Sequence, residues 1–339
     1  MGLTDLFRSK APKLKPDPQI RWFGKLPTYG DYYRSTTDES WAVEFNDWVL
    51  KGFEIYQSRR PRGGRRPGRL PLAAVVIRLP RSGMTVFASI QDYGGDMRDR
   101  PFPICFYAGV PTERWHGPTS HTLAPASRTI RDLAALRREV PRFLNSPGRF
   151  ESQFGAREVD LSGIDGETQD DSWMKQARQI PLTDWLAGVR AILKTDDPGD
   201  WLGAAARKAE QIAKLESKEF QPTLRFPLAM ELPLEVQTAG WLRWLQSRMY
   251  LGRRSLSLMV SGELDRGIGH FSVVTGEVVP EHFLLITPAA DTLSRVDDLS
   301  DGTPEEVEGQ DKNASDAVPA SVRPAGSWAD FVERVAVMA

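Results

Sequence analysis

Hydrophobic positions recur in two rhythms along this chain, and the changes of rhythm mark its elements. LAAVVIRL (72–79) is a continuous apolar run rich in β-branched residues, the pattern of a strand buried on both faces. RSG (81–83) suits a turn and MTVFASIQD (84–92) a second strand, so the pair predicts a hairpin. FPICFYAGV (102–110) is a third apolar run, and TLRFPLAMEL (223–232) reads as a strand interrupted by Pro227. SLSLMVSG (255–262), HFSVV (270–274) and EHFLLITP (281–288) complete the predicted strands.

Helical spacing appears first in TTDESWAVEFNDWVLKGFEIYQ, where Trp41, Phe45, Trp48, Gly52 and Ile55 share one face. Thr37 or Asp38 stands where a cap is needed. Ile130, Leu133, Leu136 and Val140 predict a helix over 128–140, between an irregular stretch (111–128) and a polar loop excursion (145–172). Helices are also predicted over 183–194, 200–218 and 239–252, the last with Trp241, Trp244 and Leu245 inward and Gly252 as C-cap. SWADFVERVAVM (327–338) closes the chain, capped by Ser327 and striped by Trp328, Phe331, Val332 and Val335. A helix of that length is marginal alone in water, so it must dock on its own domain or on a partner.

Strands alternating with helices predict an α/β layered fold, and no internal repeat is visible. Residues 1–19 are polar, carry Pro12, Pro16 and Pro18, and read as a flexible arm. Structure then begins at RWFGKLPTYGDYYRS, where Gly24, Pro27 and Gly30 punctuate a tight loop. Residues 291–316 hold nine acids and two bases without apolar periodicity, which predicts a disordered acidic linker over 291–326, dispensable for folding. The expected organisation is thus an arm (1–19), an α/β domain (20–290), the acidic linker, and a docking helix over 327–339.

Composition narrows the function. Lys and Arg total 44 against 45 Asp and Glu, and a net charge of −1 lacks the basic excess of a dedicated nucleic-acid binder. A single cysteine excludes an intramolecular disulfide, a cysteine zinc cluster and a CxxC redox motif. The one basic concentration is 57–70, with six arginines and no acid; it reads as an exposed loop insertion or as a patch for anionic partners. No secretory h-region and no run of 18 apolar residues is present, so a soluble, cytoplasmic protein is expected.

Catalytic patterns are missing from the sequence. Cys105 lies inside the apolar PICFYAG, the setting of a small buried hydrophobe rather than a reactive thiolate. There is no GxSxG elbow, no HExxH and no Walker A; RGGRRPG and ELDRGIGH lack the required Lys-Ser/Thr. His116 and His121 are five apart in a loop with no evident third ligand, and the acids of 297–308 lack calcium-loop spacing. No catalytic, cofactor or metal residue is therefore predicted. An interaction or regulatory role is favoured, with a hydrolase or nucleotide-binding enzyme of unrecognised site as the alternative.

RWFGKLPTYGDYYR (21–34) resembles the opening of the TagF/ImpM family of type VI secretion-associated proteins. Phe23, Gly24, Lys25, Leu26 and Pro27 match its F-G-K-L-P string, Gly30 and Asp31 its G-D pair, and Tyr32 the aromatic that follows. A Trp-bearing helix comes next, through Trp41 and Trp48. Arg100, Phe102 and Pro103 lead into ICFYAG as a second block, although QDYGGDMRDR replaces the usual S-x-D-x-x-G-R approach. WLRWLQSRMYLGRRSLSLMVSG with HFLLITP is a third, looser block. The resemblance implies a three-layer α/β sandwich with a mixed sheet. It also implies a cytoplasmic, non-enzymatic accessory factor that represses the bacterial secretion apparatus post-translationally, binding its FHA-domain scaffold; a positive assembly factor of the same apparatus is the variant reading. Gly24, Pro27 and Gly30 shape the turn on the plain reading. On the sharper one, Lys25, Tyr29, Asp31 and Arg34 ring an exposed partner-binding loop, with Arg98, Asp99 and Arg100 on the same surface.

Overall fold

The computed structural model describes residues 16–35, 38–59, 70–92, 101–115, 123–143, 146–162, 164, 172–190, 192–193, 223–248, 256–263, 268–293, 296–298 and 326–337. Among these described residues nine strands form one sheet: β1 (Asp17–Gly24), β2 (Tyr33–Arg34), β3 (Leu72–Leu79), β4 (Met84–Asp92), β5 (Pro103–Pro111), β6 (Thr223–Ala229), β7 (Leu256–Glu263), β8 (Ile268–Thr275) and β9 (Val296–Asp298). Their order is β2-β1-β5-β4-β3-β7-β8-β6-β9. Every pairing is antiparallel except β6 with β9, so the fold is α/β around an open, almost wholly antiparallel sheet.

Side-chain alternation sends each strand's residues to two cores. Along β5, Ile104, Phe106, Ala108 and Val110 join one core, while Cys105 and Tyr107 join the other. Along β3, Val75 and Ile77 oppose Val76 in the same way. The apolar runs of these strands are therefore explained by burial on both sides.

Helix α1 (Ser40–Ser58) covers one face with Trp41, Phe45, Trp48 and Phe53. Its partner on that face is a 3-10 segment, Pro280–Ile286, whose Phe283 lies where a Cβ on Gly52 would be. The Trp48 indole N–H donates to the Val279 carbonyl at 3.0 Å. The other face carries α2 (Leu123–Ala135), α3 (Pro147–Phe154), α4 (Ser172–Ala177), α5 (Leu182–Val189), α6 (Leu234–Arg248) and α7 (Trp328–Val337). There Trp185 stacks on Trp328 at 4.5 Å, and Trp241 meets Trp328 edge-on at 5.2 Å. The closing helix thus docks on the chain's own core. Ser327 Oγ accepts from the Asp330 amide at 3.2 Å and the Asp330 carboxylate from the Ser327 amide at 2.8 Å, a reciprocal cap.

Several expectations need correction. The arm does not extend to residue 19: β1 starts at Asp17, and its outer edge is held by the Val159 amide on Pro18 O and the Ile20 amide on Arg157 O. α1 starts at Ser40 after Glu39, with no side-chain cap; Asp38 lies upstream and Thr37 outside the described residues. The 128–140 helix begins earlier, at Leu123, and breaks at Ala135 into two 3-10 turns. The 145–172 loop contains α3, whose Phe150 and Phe154 are fully buried. α5 ends at Val189 rather than continuing to 194, and α6 runs from Leu234 to Arg248 instead of starting at 239. The predicted strand at 281–288 is the 3-10 segment, entered through Pro280. The acidic linker is ordered at its start, where Val296–Asp298 pairs with β6. The helix at 200–218, Gly252 and the arginine-rich 60–69 lie outside the described residues.

Pro227 does not interrupt β6, because it lies beyond the three residues that β9 pairs. The end of that strand is completed by side chains of α6. Gln237 is fully buried; its Oε1 accepts from the Ala229 amide (2.8 Å) and the Trp185 indole (2.9 Å), and its Nε2 donates to Ala229 O (2.8 Å) and Leu232 O (3.3 Å). Trp241 Nε1 donates to Pro227 O at 3.2 Å.

Candidate functional site

The block that carries the resemblance forms the connection between β1 and β2. β1 runs out at Gly24, the chain turns with the Tyr29 amide donating to Leu26 O at 2.9 Å, and β2 returns to pair Arg34 with Phe23 and Tyr33 with Gly24. Leu26 is fully buried and anchors the turn. Gly24 pairs with Ile104 on β5, and a Cβ there would overlap the Pro103 carbonyl oxygen. Tyr32 stacks on Phe23 at 5.5 Å and meets Phe102 edge-on at 4.9 Å. The first and second motif blocks, far apart in sequence, are therefore one packed unit.

The predicted site residues separate within this unit. Lys25, expected on the rim of an exposed loop, is instead only 5% exposed, and its Nζ lies 4.9 Å over the Tyr32 ring. A lysine whose stem is packed and whose head sits on an aromatic face does not ring an open loop. Tyr29 is 38% exposed, with its ring 5.0 Å from Tyr33. Asp31 is exposed, and its carboxylate accepts from the Tyr32 amide at 2.8 Å. Asp31 and Arg34 line the same hollow, of about 320 Å³, whose far wall is α1. Arg98, Asp99 and Arg100 lie outside the described residues.

The far wall was not legible in the sequence. Val43, Asp47 and Leu50 face this hollow from α1. Two further hollows adjoin it along the helix: one shares Val43 and Asp47, and the next shares Asp47 and runs to Val279 and Pro280. Together they make a groove over the outward face of α1. Val43 is 45% exposed and Val279 41%, and with Tyr29 and Tyr32 they are the exposed large apolar side chains among the described residues. The available signal was Val43, an apolar residue off the aromatic stripe of α1.

Hydrogen bonds tie the floor of the groove to the sheet. Glu44 is buried, and its carboxylate accepts from the Arg81 amide (3.1 Å) and the Ser82 amide (2.9 Å). It thereby ties α1 to the β3–β4 turn, which Gly83 closes at φ 67°. Asn46 Oδ1 accepts from the buried Tyr107 hydroxyl at 2.9 Å.

The hollow at Asp31 is lined by no histidine, cysteine or serine. Cys105 is fully buried, and burial pushes its thiol pKa far above the ordinary value. His282 accepts from the Val279 amide through Nδ1 at 3.1 Å, and burial lowers its pKa to about 4. His270 Nδ1 lies 3.1 Å from the Arg225 guanidinium, which pairs with Asp291 at 2.6 Å. His116 and His121 are outside the described residues. Among the described residues no group of three or more His, Cys, Asp or Glu is placed to hold a metal, and no helix is long and apolar enough to cross a membrane.

Comparison with known proteins adds no relative: no family model matches the chain, and no curated protein sequence matches it. The family likeness rests on the motif residues themselves.

Proposed function

We propose that this chain is a non-enzymatic regulator that acts by binding: a TagF/ImpM-like, cytoplasmic, post-translational repressor of a bacterial type VI secretion apparatus. It holds an FHA-domain scaffold of that apparatus and keeps it from assembly. The observation that carries this reading is the packing of Phe23, Gly24 and Tyr32 against Phe102 and Pro103, which joins both motif blocks beside an exposed groove. On this reading the helices on either side of the sheet make the three-layer sandwich of that family. Repression follows from mass action, since a scaffold bound here is withdrawn from assembly and each 1.4 kcal/mol of affinity is about tenfold in occupancy.

The test is the amount of secreted tube protein in deletion and overexpression strains, beside a pull-down of the scaffold. Deletion raises secretion and excess protein lowers it. Unchanged secretion in both strains overturns the reading, and a fall on deletion replaces it with a positive assembly factor. A response in secretion without scaffold in the pull-down keeps repression and removes the named partner.

A further inference from the structure

Asp47 is the residue common to all three hollows of the α1 groove. It is half-buried, and its carboxylate makes no ion pair or side-chain hydrogen bond among the described residues. Such a carboxylate in a concave, partly desolvated setting favours a cation. Apolar surface stands on both sides of it, Tyr32, Val43 and Leu50 toward the β1–β2 turn and Val279 and Pro280 toward the 3-10 segment, while Lys51, Arg81, Glu44 and Glu277 also line the second and third hollows. Exposed aliphatic and aromatic side chains interleaved with charged ones, here Val43, Val279 and Tyr32 beside Asp47, form the anatomy of a protein contact with apolar anchors and a polar, charged rim.

We infer that the α1 groove docks a polypeptide segment of a partner protein that presents one Lys or Arg to Asp47, with an apolar side chain on each side of it. The first flanking side chain fills the hollow walled by Tyr32, Val43 and Leu50, and the second lies against Val279. Arg34, which also makes no ion pair among the described residues, offers its guanidinium across the first hollow to a carbonyl or carboxylate of the same segment. The inference rests on the reading that this chain acts by binding and adds the surface and the partner's chemistry. Lys25, buried beneath Tyr32, is not part of the contact.

The experiment measures scaffold affinity for the full chain and three variants. Asp47→Lys reverses the central charge and Val43→Glu places a charge against the apolar flank. Asp132→Lys makes the same charge change at an exposed site on α2, on the other face of the sheet. Asp47→Lys and Val43→Glu weaken binding by at least about tenfold with unchanged melts, and Asp132→Lys binds as the parent does. Equal binding by all four proteins overturns the groove and leaves the regulator reading standing. If the scaffold does not bind the parent chain, that partner is wrong and a peptide pair decides the groove. One synthetic peptide carries a central Lys between two Leu in a Ser/Gly background, and its twin carries Glu in place of Lys. The groove stands if the Lys peptide shifts the amides of residues 43–51 in the parent and not in Asp47→Lys, and the Glu peptide shifts neither. Absent shifts, or equal shifts from both peptides, overturn it.

Discussion

Gly24 and Gly30 belong to one turn yet answer to different constraints. A Cβ on Gly24 meets the Ile104 Cα at 2.6 Å as well as the Pro103 carbonyl, both backbone atoms of the neighbouring strand. One on Gly30 finds nothing within 4 Å. Gly24→Ala therefore forces β1 from β5 and is expected to cost several kcal/mol in urea unfolding, whereas Gly30→Ala stays within about 0.5 kcal/mol. Gln237 carries the second residue-scale prediction. Its amide uses both donors and both acceptor positions on a strand end, a loop carbonyl and an indole. Gln237→Leu keeps the approximate volume but strands several buried polar groups, so a loss of about 2–4 kcal/mol is expected from chemical denaturation. Neither role was visible in the sequence, where Gln237 is one polar residue before an apolar helix. The close approach at Gly24 likewise depends on a strand some eighty positions away. Cys105, by contrast, was legible from its apolar neighbours, and its thiol should resist aromatic disulfide reagents in native buffer and react fully in denaturant.

Elements were legible in proportion to how much of their pattern is local. β3, β4 and β5 announce themselves because burial on both faces makes a continuous apolar run, and α1 because one aromatic stripe meets one sheet face. β1 was missed at its start because its edge residues are polar and are satisfied by residues 157–159. Pro280–Ile286 reads as a strand because four consecutive buried apolar residues look the same in a strand and in a buried 3-10 segment. That segment carries a pH prediction through His282, whose imidazole is held down to about 4 by burial, against a weaker opposing attraction from Glu281. The folded state prefers neutral His282, so its contribution is complete above the unfolded pKa near 6.5 and is lost as pH falls toward 4. Urea melts at pH 4.5 and 7 should differ by on the order of 2 kcal/mol through this group, and His282→Asn should remove that difference. α7 sets the limit on truncation. Trp328 is fully buried against Trp185 and Trp241, and a Cβ on Gly240 would lie 2.6 Å from its indole nitrogen. Trp328→Ala should cost about 3–5 kcal/mol, and a chain ending before Ser327 should lose its cooperative melt rather than shift by a few degrees.

At the scale of the whole molecule the sheet decides how the chain unfolds. The first part of the sequence supplies β1 to β5 and the last part β6 to β9, and the two sets meet at β3 and β7 in a continuous register from Leu72 with Gly262 to Val76 with Leu258. The faces repeat the arrangement. α1, from the first part, shares its core with Met259, Val274 and Phe283 of the last and donates to the Val279 carbonyl, and Val76, Phe87 and Phe106 share the other core with Phe226, Trp241 and Trp328. Neither part buries its apolar surface without the other, so the two are expected to open together. Native-state hydrogen exchange reads this directly, because the slowest amides of a cooperative unit share one opening free energy. The slowest amides of β3, β4 and β5 should therefore match those of β7 and β8 within about 1 kcal/mol, and a denaturant step should release both sets at the same concentration. A clearly lower opening free energy for β7 and β8 would show instead that the seam at β3 joins two units able to unfold separately.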